Sequence, residues 1–192
     1  MVKNIFPLAV FTVLFFSACE NEDEFTPRPR GYYRIDMPEK SYARWDSTCP
    51  YSFEIPSYGK ILPDPEGNKE PCWINLDFPR FKATLHLSYK KVDKNLPELL
   101  EQSRTLAIQH QVKASGMREN PVINPEDKVY GLIYEFSGNT ASSLQVYLTD
   151  STLNFVRGAL YFWARPNADS LKPVLGFLKE DIFHMVETFR WK

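Results

Sequence analysis

Residues 81–89 read FKATLHLSY, in which Phe81, Ala83, Leu85, Leu87 and Tyr89 alternate with Lys82, Thr84, His86 and Ser88. Successive side chains of an extended chain point to opposite faces, so this alternation specifies a strand with one apolar face and one polar face. Strands of that kind belong to antiparallel sheets. The pattern recurs on both sides of the stretch. Upstream, Tyr51, Phe53 and Ile55 alternate as far as Pro56, and residues 72–78, CWINLDF, form a further extended piece. Downstream, extended segments over 128–136, 143–149 and 153–164 are joined by Ser137-Gly138-Asn139-Thr140 and by Asp150-Ser151, residue types that favour turns. Leu144, Val146 and Leu148 share a face of the middle segment, as expected in a meander packed on one side.

Two segments change to the helical period. Asn95 with Glu98 three residues later resembles a helix-opening arrangement, and Pro97 is tolerable in the first turn. Leu96, Leu99, Leu100, Ala107 and Val112 then predict a helix from Leu96 to Ala114, ended before Gly116. After the break at 165–170, Asp169 or Ser170 is expected to cap a last helix with the stripe Leu171, Val174, Leu175, Leu178, Ile182, Met185, Val186 and Phe189. Glu180 and Asp181, beside His184 on that helix, read as a solvated face. With strands in the middle and helices around them, the predicted fold class is α+β, an antiparallel β-sheet with helices packed on its faces. The order of elements resembles the PsbP/Mog1-like sandwich.

The amino terminus has a separate logic. Lys3 precedes an almost wholly apolar stretch of 12 residues, Ile5 to Phe16, and then Ser17, Ala18 and Cys19. This is a signal-peptide layout. A spanning helix needs about 20 apolar residues, and Pro7 interrupts even this shorter run. Phe16-Ser17-Ala18-Cys19 resembles a lipobox, with Phe16 where an aliphatic residue is usual. Residues 1–18 are therefore expected to be a lipoprotein signal peptide and Cys19 the lipidated first residue of the mature chain; an ordinary secretory signal is the alternative. Residues 19–31, with Glu20, Glu22, Asp23 and Glu24 followed by TPRPRG, form an acidic, Pro-rich tether. Removing residues 1–18 from 192 leaves 174, which suits a single globular domain over 32–192.

Hydrophobic content of 43% and aromatic content of 15% support a substantial core, while a net charge of −1 gives no field to attract nucleic acid. Cys49 and Cys72 remain once Cys19 is lipidated, an even number in a chain that leaves the reducing cytoplasm. They are expected to pair, contributing roughly 3 kcal/mol by restricting the unfolded chain. Two buried free thiols are the alternative.

A search for chemistry returns little. The eight glycines are scattered and form no phosphate loop, and no serine lies in a nucleophile elbow. His86, His110 and His184 have no histidine or cysteine at ligand spacing. The expectation is a protein that is not an enzyme, with no catalytic residue, no metal site and no cofactor. Asp46-Ser47-Thr48, Asp150-Ser151-Thr152 and Asp169-Ser170-Leu171 resemble acceptor tripeptides for periplasmic O-glycosylation, at Ser47, Ser151 and Ser170; Asp-Ser pairs also mark turns and helix caps.

The stretches PRPRGYYRIDMPEKSY, CPYSFEIPSY and CWINLDFPRFKATLHLSYK, followed by NLPELLEQSR and the ending VETFRW, resemble the gliding motility lipoprotein GldD family from about residue 27 to the carboxyl terminus. Gln109-His110-Gln111-Val112-Lys113-Ala114 keeps the family's His and Lys-Ala, while Ser115-Gly116 departs from its acidic continuation. The resemblance implies a lipoprotein of the cell envelope, expected at the outer membrane, that is required for surface gliding. It brings no catalytic residues. Its implied partners are other envelope lipoproteins and the motility and type nine secretion machinery, with the membrane reached through the lipid anchor. The segment Tyr32 to Tyr58 is the candidate docking surface, with Tyr32, Tyr33, Arg34, Tyr42, Trp45 and Tyr58 as candidate contacts. An alternative is an envelope glycan- or ligand-binding module, in which an aromatic such as Trp45 (beside Asp46), Trp73 (near Asn75) or Tyr58 lines a groove, with core packing the favoured role for either tryptophan.

Overall fold

Alternating residues become a strand only where a partner strand takes their backbone groups, and Ala83–Lys91 has one on each side. In the computed structural model, which describes Gly31, residues 34–65, Glu70, residues 72–165 and residues 167–192, the elements run as follows. The strands are β1 (Tyr42–Trp45), β2 (Tyr51–Pro56), β3 (Lys60–Pro63), β4 (Ile74–Phe78) and β5 (Ala83–Lys91), then α1 (Leu96–Gln111). Next come β6 (Gly116–Asn124), β7 (Val129–Ser137), β8 (Ser142–Thr149), β9 (Asn154–Phe162), α2 (Ala168–Glu187) and β10 (Arg190–Trp191). Seven strands form one sheet in the order β3-β4-β5-β9-β8-β7-β6, antiparallel at every pairing. A small sheet of order β1-β2-β10 accompanies it. Ile35–Lys192 form one compact unit. The α+β class expected from the sequence is the class observed.

Several boundaries differ from the reading, each for a local reason. Pro79–Phe81 form a 3₁₀ turn and Lys82 takes φ 48°, so the strand begins at Ala83 rather than Phe81. The first helix stops at Gln111, three residues early. Asn95 does not cap it; its Oδ1 accepts instead from the N–H of Asp93 at 2.8 Å. The last helix is capped by Asn167, whose side chain accepts from the N–H of Ser170, rather than by Asp169 or Ser170. Strands β1, β3, β6 and β10 were not foreseen. β6 lies at the sheet edge, where one ladder suffices and Pro121 is tolerated, so its sequence carries no clean alternation.

The two faces of the large sheet have different fates. Leu76, Leu85, Leu87, Leu144, Val146, Leu148 and Leu160 point to one side and form the main core with Val174, Leu178, Ile182 and Met185 of α2 and with Tyr51, Phe53 and Phe189. On the other side α1 packs through Leu99 against Val92 and Phe155, and through Ala107 against Tyr134 and Phe136. A helix is about 10 Å across and strands lie about 4.8 Å apart, so one helix covers only part of a seven-stranded face. The β4–β5 side of that face therefore stays polar.

The β8–β9 turn is organised by one carboxylate. Asp150 Oδ1 accepts from the N–H groups of Thr152, Leu153 and Asn154 at 2.8 to 2.9 Å, and Oδ2 accepts from the Asn154 amide at 2.7 Å. Burial opposes the charge, but these donors outweigh it and hold the carboxyl below its usual range. Asp150→Ala is expected to cost about 1–2 kcal/mol at pH 7 in urea unfolding. A folded-state pKa below the unfolded value of about 3.9 gives stability that is present above the unfolded pKa and lost as pH falls through the folded one. The difference between wild type and variant should therefore shrink toward pH 3; a difference that stayed constant would contradict the assignment.

Candidate functional site

Helix α2 carries a charge on its inward stripe. Val174, Leu178, Ile182 and Met185 repeat at helical spacing, and Asp181, three residues after Leu178, belongs to the same face. Asp181 is 1% exposed, which corrects the expectation of a solvated carboxylate. Its Oδ1 accepts from Lys40 Nζ at 3.0 Å and from Tyr42 Oη at 2.8 Å, and its Oδ2 accepts from Tyr58 Oη. Lys40 also donates to the Phe177 carbonyl at 2.9 Å, lies 4.4 Å from the centre of the Phe177 ring, and pairs with the exposed Glu180 at 2.9 Å. A second pair flanks the first: His184 Nε2 meets Glu54 Oε2 at 2.7 Å, and the Tyr42 ring stacks on the imidazole with centroids 3.8 Å apart.

The electrostatics follow from burial. Both hydroxyls of Tyr42 and Tyr58 are pushed well above the ordinary tyrosine range, by desolvation first and then by donation to Asp181. They stay protonated and act as donors. Three donors take three of the roughly four lone-pair positions of a carboxylate that is closed to solvent, so the cluster works as a fastening between the 40–58 segment and α2.

The candidate docking residues thus divide. Tyr42 and Tyr58 are turned inward to Asp181. Trp45 packs on Tyr51 and Phe53, with ring centroids 5.7 and 5.0 Å away. These three contribute to the domain's own packing while each stays partly exposed. Arg34 is exposed. Tyr32, Tyr33 and Cys19 lie outside the described residues, as do the signal peptide and most of the tether. Of the three aromatics named for a ligand groove, Trp45 and Tyr58 pack on the main core, while Trp73 lines a groove on the α1 side of the sheet with His86 and Ser88.

Cys49 and Cys72 are joined in a disulfide with Cα atoms 5.5 Å apart, tying the approach to β2 to the start of β4. Tyr51 Oη donates to the Cys72 carbonyl beside it at 2.7 Å. The three tripeptides occupy turns and caps. Ser47 Oγ accepts from the Cys49 N–H, Ser151 is exposed with φ 67°, and the Ser170 N–H donates to Asn167 Oδ1. Among the described residues, no group of three or more His, Cys, Asp or Glu could hold a metal ion. No helix among them is long and apolar enough to cross a membrane.

Comparison with known proteins gives three findings. No curated protein matches the chain. Among solved structures, the chain is similar to the solution structure of cyanobacterial PsbP (CyanoP) from Synechocystis sp. PCC 6803. That likeness has a TM-score of 0.46 and 13% identity, covering 83% of this chain and 98% of that one. The family described as gliding motility lipoprotein GldD matches residues 22–191, nearly the whole chain. The chain therefore belongs to the gliding motility lipoprotein GldD family.

Proposed function

We propose that this gliding-motility lipoprotein is an assembly factor, anchored at the outer membrane through acyl chains on Cys19, that stabilises the motility and type nine secretion machinery by protein–protein contact. The observation that carries this reading is the family match over 22–191, which takes in most of the acidic, Pro-rich tether together with the folded domain. Acyl chains give roughly 0.8 kcal/mol of membrane affinity per buried methylene, so several together hold firmly. The geometry adds support. Its polar cluster is a fastening rather than a reactive centre, while Val112, Ile123, Leu153 and Trp163 stay exposed on the surface.

Crosslinking in native membranes, followed by mass spectrometry, tests the proposal. Wild-type protein should resist a high-salt wash and recover envelope lipoproteins and secretion components. Cys19→Ser protein should leave the envelope without detergent and lose those crosslinks. Wild-type protein released by salt alone, or crosslinks containing no motility or secretion component, would overturn the reading.

A further inference from the structure

Beside α1 the polar face of the sheet opens into a groove of about 270 Å³, lined by Trp73, His86, Ser88, Gln102, Arg157 and Tyr161. Its floor is set by one cross-strand row, Asn75–His86–Ala159–Gln145, running over β4, β5, β9 and β8. Ala159 is the small member of that row, and the space above it is the groove. Arg157 lies one step along β9, between Ser88 and Tyr147 in register.

The guanidinium of Arg157 is short of acceptors. It has five N–H donors, and its one hydrogen bond runs from Nη2 to Gln145 Oε1, a neutral acceptor, at 2.7 Å. No carboxylate among the described residues forms an ion pair with it. Burial weakens its hold on the proton, though an arginine keeps its charge. His110 lies near it and has its imidazole pushed down by burial first and by Arg157 second, so it is neutral near pH 7 and adds no charge. A partly buried cation without a counter-charge is costly in free energy. In the row beneath, two buried atoms have no partner among the described residues: the Gln145 amide nitrogen, a donor that suits an anion, and the Asn75 side-chain oxygen, an acceptor that does not. Unpaired buried polar atoms are rare in native folds and call for a reason.

The remaining charges limit the ligand. Lys90 at one end pairs with Glu70 at 2.9 Å and covers the Trp73 ring, so its charge is already met. A single planar carboxylate matches the arginine fork. We propose that this groove binds a small monocarboxylate, held by Arg157, with His86, Ser88 and Tyr161 hydrogen-bonding the rest of the molecule. Such a carboxylate could belong to an acidic sugar or to a peptide carboxyl terminus, and the arms of the test separate these sources. The site is independent of the assembly role proposed above.

Isothermal titration of the full chain in detergent, with glucuronate, N-acetyl-alanine, glucose and inorganic phosphate as separate probes, tests the inference. At least one of the two carboxylates should bind saturably with a dissociation constant in the millimolar range or below, and glucose and phosphate should not. Glucuronate alone would indicate the sugar source, and N-acetyl-alanine alone the peptide source. Arg157→Met should weaken binding by about tenfold or more. Because that change also touches the sheet, the exposed α1 position Gln102 supplies a second arm: Gln102→Glu should weaken binding several-fold and Gln102→Lys strengthen it. Absence of saturable binding by both carboxylates, equal binding of glucose or phosphate, or affinity unmoved by all three substitutions would overturn it.

Discussion

Asp181→Ala is expected to destabilise the domain by about 2–4 kcal/mol, because it leaves a partly buried lysine and two partly buried hydroxyls without their common buried acceptor. Domains of this size are stable by only 5–15 kcal/mol, so a thermal midpoint roughly 10 °C lower should be visible in a circular dichroism melt. The neighbouring Glu180 gives the contrast. It also pairs with Lys40, but 71% of its side chain is exposed, and Glu180→Ala should stay within about 0.5 kcal/mol of wild type. Part of the Asp181 penalty comes from stranded partners rather than from lost attraction. Asp181→Leu combined with Tyr42→Phe and Tyr58→Phe should therefore be more stable than Asp181→Leu alone. Equal melts for Asp181→Ala and Glu180→Ala would show that the cluster does not fasten the 40–58 segment to α2.

Gly131→Ala should be comparably damaging for a different reason. A Cβ at Gly131 would lie 1.9 Å from the Tyr147 carbonyl oxygen and 2.9 Å from its carbonyl carbon. Both are backbone atoms of the paired strand β8, so no side chain can swing aside. The strands would have to part in the interior of the sheet, at a cost of at least about 3 kcal/mol. Gly176 in α2 has nothing within 4 Å of the same construction. Gly176→Ala should stabilise the helix by about 0.5–1 kcal/mol, since glycine loses more backbone freedom on folding. Urea midpoints of the two variants should move in opposite directions from wild type; a Gly131→Ala midpoint at or above that of wild type would refute the contact geometry there.

Both variants act on the fold, and both bear on the proposed assembly role. An anchored assembly factor has to present one persistent shape to its neighbours. On that proposal, loosening the 40–58 segment or splitting β7 from β8 should weaken crosslinks to the machinery in proportion to the lost stability, while leaving the proposed membrane retention through Cys19 intact.

The sequence by itself determined the strands whose two faces differ, β5 above all, because a period of two can be read without knowing the neighbours. It determined the stripe of α2 for the same reason, and it pointed to the pairing of Cys49 with Cys72 by simple parity. The fate of polar residues was settled by long-range packing. Asp181 looks like any acid on a helix until Lys40, Tyr42 and Tyr58, more than 120 residues away in the chain, close over it. Arg157 looks like an ordinary outward charge until α1 covers part of its sheet face and leaves it beside a groove with Gln145 as its acceptor. Apolar patterning is a local signal because burial acts on each side chain through its own surface. A polar side chain's role depends on which distant donor or acceptor reaches it, and that is fixed only when the chain has folded.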